Sequence, residues 1–175
     1  MKLVKNNLGF TLIETMIVIA IISIVSTVGY FTLRATSPIR ELKSAARNIV
    51  YDFQNAKNFS ARNHSKLVVV FDSNGYIIFE DANKNFIKDF SEKLYRERNF
   101  LEFKGVSFDK SEYVDGIDGP VNSEGDYAIC FIPIGFITSW KNKDSGLTIY
   151  LQSESGRKIN IRTLISGIIR ISDLL

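Results

Sequence analysis

The residue of this chain that most needs a chemical explanation is Glu14. It stands at the start of an apolar run, and from Thr15 to Leu33 no charged residue follows. Those nineteen residues, as a helix, span about 28 Å, close to the thickness of a bilayer hydrocarbon core. An ionised carboxylate is costly in lipid, so Glu14 must be paired or held at the surface. A short basic region with Lys2 and Lys5 precedes it and ends at Gly9. A secretory signal places small residues after its apolar stretch. Here the small residue comes before the stretch, and no A-x-A-like site follows. A cut after Gly9 would remove the leader and keep the helix. The new chain would begin at Phe10, with its α-amino cation about one helical turn from Glu14. That cation can pair with Glu14 in the same chain, or in a neighbour, where it would set axial register. A second reading of Glu14 is an interfacial acid stabilised by the helix dipole. The residues alone leave both open.

A second constellation lies in Asp81–Glu92. Asp81, Asn83, Asn85, Asp89 and Glu92 fall at positions 1, 3, 5, 9 and 12 of an EF-hand-type calcium loop. Phe86 stands where that loop needs glycine, and a strand rather than a helix precedes it. Calcium is thus a candidate ligand against the plainer reading of a polar solvated loop. A third is a basic cluster, Lys141, Lys143, Arg157, Lys158, Arg162 and Arg170, which could hold DNA phosphates or could be solvated strand faces. Ser153–Arg157 is a turn.

Enzymatic patterns are missing. The sequence has no P-loop, G-x-S-x-G, H-E-x-x-H or Cys-x-x-Cys. His64 is the single histidine and reads as an ordinary polar residue. Cys130 is the single cysteine, so no intrachain disulfide forms, and it reads as a buried small hydrophobe. With 175 residues, 45% hydrophobic and 23% charged, the chain can build a core. Its net charge of +3 is too mild to make nucleic acid a main partner.

The elements that position these residues follow from periodicity. Beyond Pro38, apolar and small residues recur at Ile39, Leu42, Ala46, Ile49, Phe53, Ala56 and Ser60, a single helical stripe. Arg40, Lys43, Arg47, Asp52 and Lys57 are assigned to the polar face. One long helix, kinked or broken near Pro38, is expected from about Thr11 to Asn63, about 80 Å long. Strands are expected at Leu67–Phe71, Tyr76–Phe79, Tyr95–Phe103, Tyr127–Ile132, Phe136–Thr138, Leu147–Leu151, Lys158–Thr163 and Ile168–Ile171. Asp109–Asp126 reads as a long surface loop. The fold class is α+β, a long N-terminal helix with a transmembrane half and an amphipathic half, packed on an antiparallel β-sheet. The segments are 1–9 leader, 10–35 transmembrane helix, 36–65 amphipathic helix and 66–175 β-sheet globular domain. Lysines before the span and a large domain after it place the N-terminus inside.

Gly9-Phe10-Thr11-Leu12-Ile13-Glu14 followed by an apolar run resembles the type IV prepilin signal. The resemblance implies that prepilin peptidase cleaves after Gly9 and N-methylates Phe10, and that Glu14 recruits the subunit into a filament. "CFIPIGFI" (Cys130–Ile137), "LTIYLQSESGRKINI" (Leu147–Ile161) and "SGIIRI" (Ser166–Ile171) resemble the H-type minor pseudopilins of type II secretion and their type IV pilus relatives, the GspH/FimT group. This implies a non-enzymatic minor filament subunit. Its partners would be other pilin or pseudopilin subunits, prepilin peptidase, an inner-membrane assembly platform and membrane lipid. It would sit as a single-pass inner-membrane protein with its C-terminal domain in the periplasm or outside, and then in a filament. Relatives in the group include DNA-uptake pilins, so a DNA-binding competence pilin is one alternative. A membrane-anchored envelope protein with an uncleaved anchor is the other.

Overall fold

The computed structural model describes residues 10–111, 117–139 and 146–174. The chain divides into two compact units, Met1–Ser37 and Pro38–Leu175. Helix α1 (Leu12–Asn63) starts in the first and ends in the second, and helical structure is assigned without interruption through Pro38.

Within the first unit, Leu12–Tyr30 is long and apolar enough to cross a membrane, and none of it is buried in the protein. Ser23 and Thr27 donate their hydroxyls to the carbonyls of Ile19 and Ser23, one turn back, at 2.8 Å each. Their polar atoms are thereby satisfied inside the helix.

In the second unit, α1 buries Leu42, Ala45, Ala46, Ile49, Phe53, Ala56 and Ser60. The three-and-four spacing accounts for this stripe. Phe53 is its centre, meeting Phe71, Tyr76 and Phe131 edge-on at centroid distances of 6.2, 5.7 and 5.8 Å. Asp52, expected on the polar face, is buried instead. The reason is positional: Asp52 lies three residues after Ile49 and four before Ala56, so it shares their face.

Among the described residues ten strands follow: β1 (Leu67–Phe71), β2 (Gly75–Glu80), β3 (Leu94–Asn99), β4 (Val106–Phe108), β5 (Ile117–Asp118), β6 (Ala128–Phe131), β7 (Ile137–Thr138), β8 (Leu147–Ser153), β9 (Lys158–Thr163) and β10 (Ile169–Leu174). All pairings are antiparallel. They form two sheets where the sequence suggested one. The first has the order β3-β2-β1-β6-β7. The second has β10-β9-β8-β4, with β5 also on β8. The inner faces and the α1 stripe share one core, with Val69, Ile78, Ile129, Ile149 and Ile161 among its fully buried members.

Two expectations are corrected here. Tyr95–Phe103 is not one strand, because β3 ends at Asn99, whose side-chain oxygen caps a 3-10 turn at Phe100–Glu102. Asp109–Asp126 is not simply a surface loop. Ile117 is buried and paired to Ile149, and Asp109 and Asn122 are buried. Short strands of two and three residues carry too little alternation to be read.

Cys130 lies in a smaller cluster on the other face of the first sheet, with Val68, Phe79, Phe86 and Ala128. Burial pushes its thiol up to about 12, with the nearby Lys66 lowering it and Asp81 raising it to smaller extents. A thiol held there has almost no thiolate at neutral pH. Maleimide labelling of the folded protein is therefore expected to proceed only at the rate of unfolding. Fast labelling under native conditions would contradict this packing.

Candidate assembly site and the acidic loop

The first described residues form a helix start. Phe10 is 83% exposed. The Thr11 carbonyl accepts from the Thr15 N–H at 3.2 Å, and its hydroxyl accepts from the Glu14 N–H at 3.3 Å. Thr11 is thus the N-cap and Glu14 the third helical residue. Thr11-Leu12-Ile13-Glu14 is a T-x-x-E capping-box sequence, a signal readable from the chain. Only half of the box is made. No described group bonds the Glu14 carboxylate, which is exposed at the positive end of the helix. Helix geometry is secured by Thr11, and the acid is left available. Gly9 and the leader lie outside the described residues.

The calcium-type constellation is brought together, but in a particular way. The Asp81 carboxylate accepts from the N–H groups of Lys84, Asn85 and Phe86 at 2.7, 3.2 and 3.3 Å. Asn83 Oδ1 accepts from the Asn85 N–H and Asn85 Oδ1 from the Ile87 N–H. Both asparagine amides donate to Asp89. The two Glu92 oxygens accept from the Ala82 and Asp89 N–H groups at 3.0 and 3.1 Å. Phe86 adopts φ +62°, the left-handed turn for which such loops use glycine. Its ring packs on Val68, Phe79, Ala128 and Cys130, which explains a phenylalanine there. Lys88 donates to the carbonyls of Asp89 and Glu92 and lies 5.9 Å from the centre of the Phe79 ring. Among the described residues no three acidic, His or Cys side chains are gathered as a metal cluster.

The basic cluster is brought together in part. Lys141 and Lys143 lie outside the described residues. Lys158 is engaged, donating to Asp109 at 2.8 Å and to Ser111 at 2.7 Å. Arg157 is exposed in the β8–β9 turn. Arg162 and Arg170 are exposed cross-strand partners on β9 and β10, two like charges directly opposite. His64 follows α1 with φ +52°, exposed, as a helix-ending residue.

For Asp109, burial acts to raise the carboxyl. The bonds from Lys158 and Ser111 outweigh it and hold the group below the usual carboxylate range. A carboxyl depressed on folding adds stability that is full above its unfolded value, about 3.9, and is lost as pH falls through the lower folded value. Urea unfolding midpoints of the wild type and Asp109→Asn, measured across pH, are thus expected to differ near neutral pH and to converge well below pH 4. A constant difference across that window would remove the ion pair as its cause.

One interaction was missed entirely by sequence reasoning. Asp52 Oδ2 accepts from the Tyr76 hydroxyl at 2.8 Å and from Arg98 Nη2 at 2.9 Å, and Arg96 Nε lies 3.5 Å from Oδ1. It ties α1 to β2 and to the edge strand β3.

Comparison with known proteins agrees with both parts of the chain. The family model described as the prokaryotic N-terminal methylation motif matches residues 4–30. The chain is similar in structure to the minor pseudopilin EpsH from the Type 2 Secretion System of Vibrio cholerae, with a TM-score of 0.52, over 76% of this chain and 97% of that one. Their sequences are 12% identical, so the likeness is one of fold. A comparison with curated proteins finds no match. The chain thus carries a prokaryotic N-terminal methylation motif on an exposed apolar helix, and its α+β domain is similar in fold to that of the minor pseudopilin EpsH.

Proposed function

We propose that this chain is a structural subunit, a minor pilin or pseudopilin, of a type IV pilus or type II secretion filament. The observation that carries the proposal is the methylation motif on a membrane-length helix whose Glu14 carboxylate has no partner among the described residues. Prepilin peptidase cuts after Gly9 and methylates Phe10. The helix Leu12–Tyr30 holds the subunit in the inner membrane until an assembly platform extracts it. Neighbouring subunits then replace lipid around the apolar side chains, and Glu14 pairs with the Phe10 amine of a neighbour. The work is packing and needs no catalytic group.

Intact mass and N-terminal sequencing of membrane-extracted protein test this, with and without co-expressed prepilin peptidase. The expected product starts at Phe10 and carries one added methyl group. A chain still starting at Met1 in the presence of the peptidase would support the uncleaved envelope anchor instead. The DNA-binding reading now leans on Arg162 and Arg170, and predicts a salt-dependent mobility shift with the domain. No binding at low salt would remove it. Calcium at Asp81–Glu92 is likewise kept as a proposal, favoured by the left-handed turn at Phe86. It predicts a higher melting temperature in calcium than in chelator, lost in Asp81→Asn. Equal melting temperatures would remove it.

A further inference from the structure

Two tight turns, one from each sheet, are built alike. Residues 132–136 join β6 to β7, and residues 164–168 join β9 to β10. In the first, the Gly135 N–H donates to the Ile132 carbonyl at 2.9 Å and the Ile132 N–H to the Phe136 carbonyl at 3.1 Å. In the second, the Gly167 N–H donates to the Leu164 carbonyl and the Leu164 N–H to the Ile168 carbonyl, at 2.8 Å each. Gly135 and Gly167 hold the same place in the two turns, at φ +84° and +72°, which glycine adopts without strain. The turns lie side by side. The Ile137 N–H donates to the Ile165 carbonyl at 2.9 Å, and a Cβ on Gly167 would collide with the Gly135 carbonyl oxygen. Lys57 of α1 donates to the Gly167 carbonyl at 3.1 Å. Both turns are thereby fixed against each other and against the helix.

This rigid frame carries an apolar outer surface. Ile134 is 74% exposed, Phe136 46%, Ile165 39% and Ile168 46%. Scattered exposed apolar residues are ordinary, but four large ones on two adjoining turns form a patch. Its flank is cationic. Arg170 follows Ile168 by two residues of extended chain and so faces the same way, with Arg162 directly across from it on β9. Both arginines are exposed and have no ion-pair partner among the described residues. None of residues 54–62, 132–138 and 162–172 is acidic. Two guanidinium groups held opposite each other repel, and a carboxylate from outside would relieve them both.

We infer that this surface docks a different, acidic subunit of the filament, which seats an apolar hollow on Ile134 and Phe136 and sets a carboxylate between Arg162 and Arg170. A second copy fits poorly. A symmetric pairing would bring four guanidinium groups into one seam, and a head-to-tail pairing would propagate, as a minor subunit does not. A DNA backbone would answer the arginines and leave the four apolar side chains in water. Lipid would take those side chains but needs no fixed shape, whereas glycine contact, Lys57 and the Ile137–Ile165 bond set the shape in advance. Such pre-organisation lowers the ordering cost of a shaped protein contact, and the charge pair selects the partner. The kind of partner rests on the filament reading.

Site-specific photocross-linking in the native host tests it, on the full chain with prepilin peptidase and the other filament subunits present. With p-benzoylphenylalanine at Ile134, one main adduct is expected. Mass spectrometry should identify in it a chain of different sequence that itself starts at an N-methylated residue, joined through a peptide that contains Asp or Glu. Arg162→Glu with Arg170→Glu should lower the adduct about tenfold, and reversal of the partner's carboxylate to lysine should restore most of the loss. The same probe at Leu101, exposed at the opposite end of the first sheet, should give none of that adduct. All three substituted positions are exposed, and melting curves check folding. Adducts only with lipid, with DNA, with a second copy or with a protein lacking a methylated start would overturn the partner. No adduct, or one indifferent to the double reversal, would overturn the surface. Intact mass of the same samples separates the two claims. Cleavage after Gly9 without the adduct defeats this docking surface alone, and an uncleaved chain defeats the filament reading.

Discussion

Glu14→Ala is expected to be cleaved after Gly9 like the wild type, and to enter filaments about tenfold less well or worse. The structure makes this a sharp test, because the two roles open to Glu14 separate. If Glu14 served chiefly to start the helix, its removal should fray the first turn. Yet the bond that caps this turn runs from the Glu14 N–H to the Thr11 hydroxyl, and alanine keeps that N–H. Helix content of the variant in detergent should therefore be unchanged. What is lost is the carboxylate, which no described group of its own chain bonds. A free α-amino cation on Phe10 of a neighbour would then enter an apolar bundle unpaired. Glu14→Gln, which keeps shape and hydrogen-bonding capacity but not charge, should fail nearly as badly. Comparing the membrane-retained and filament fractions by immunoblot checks all of this. Normal incorporation of either variant would sink the pairing, and loss of cleavage would instead tie Glu14 to the peptidase.

The contrast between Glu14 and Asp52 shows what the sequence could carry. The long helix was legible because an uncharged run and then a three-and-four stripe leave few alternatives. Strands β1 and β9 were legible to the residue, being β-branched runs bounded by turn residues at Asp72–Gly75 and Ser153–Gly156. Glu14 stood out because a lone acid beside an apolar run has no ordinary explanation. Asp52 did not stand out, since an acid among polar neighbours on an amphipathic helix looks solvated. Its partners, Tyr76 and Arg98, lie 24 and 46 residues away, beyond the reach of local pattern. The division into two sheets was illegible for the same reason. Strand order depends on long-range pairing, and β4 and β5 are too short to announce themselves. At Phe86 the rule for calcium loops pointed to a departure, and the structure gives its packing cause.

Asp52→Ala should therefore be among the most destabilising changes in the domain Pro38–Leu175, by about 3–5 kcal/mol. That is a large share of the 5–15 kcal/mol typical of a domain. The cost arises from what remains. The Tyr76 hydroxyl, fully buried against Phe53, loses its acceptor, and the largely buried Arg98 guanidinium loses its principal counter-charge. Burial, the largest of the causes that hold the Tyr76 hydroxyl far above its usual range, persists when Asp52 is removed, so the hydroxyl stays protonated and without its acceptor. Among the described residues Arg98 then keeps Glu102 as its one counter-charge, half-exposed and at 3.2 Å. Tyr76→Phe removes one donor and leaves the ion pair, and should cost about 1.5–3 kcal/mol. The double variant should cost less than the sum, because after Asp52→Ala the hydroxyl is itself a liability. Urea unfolding of the four proteins gives the cycle directly. Additive losses would mean that the Tyr76–Asp52 bond contributes nothing of its own. A small loss for Asp52→Ala would mean that water or Glu102 replaces the carboxylate, and that the edge strand β3 is held to α1 by apolar packing alone.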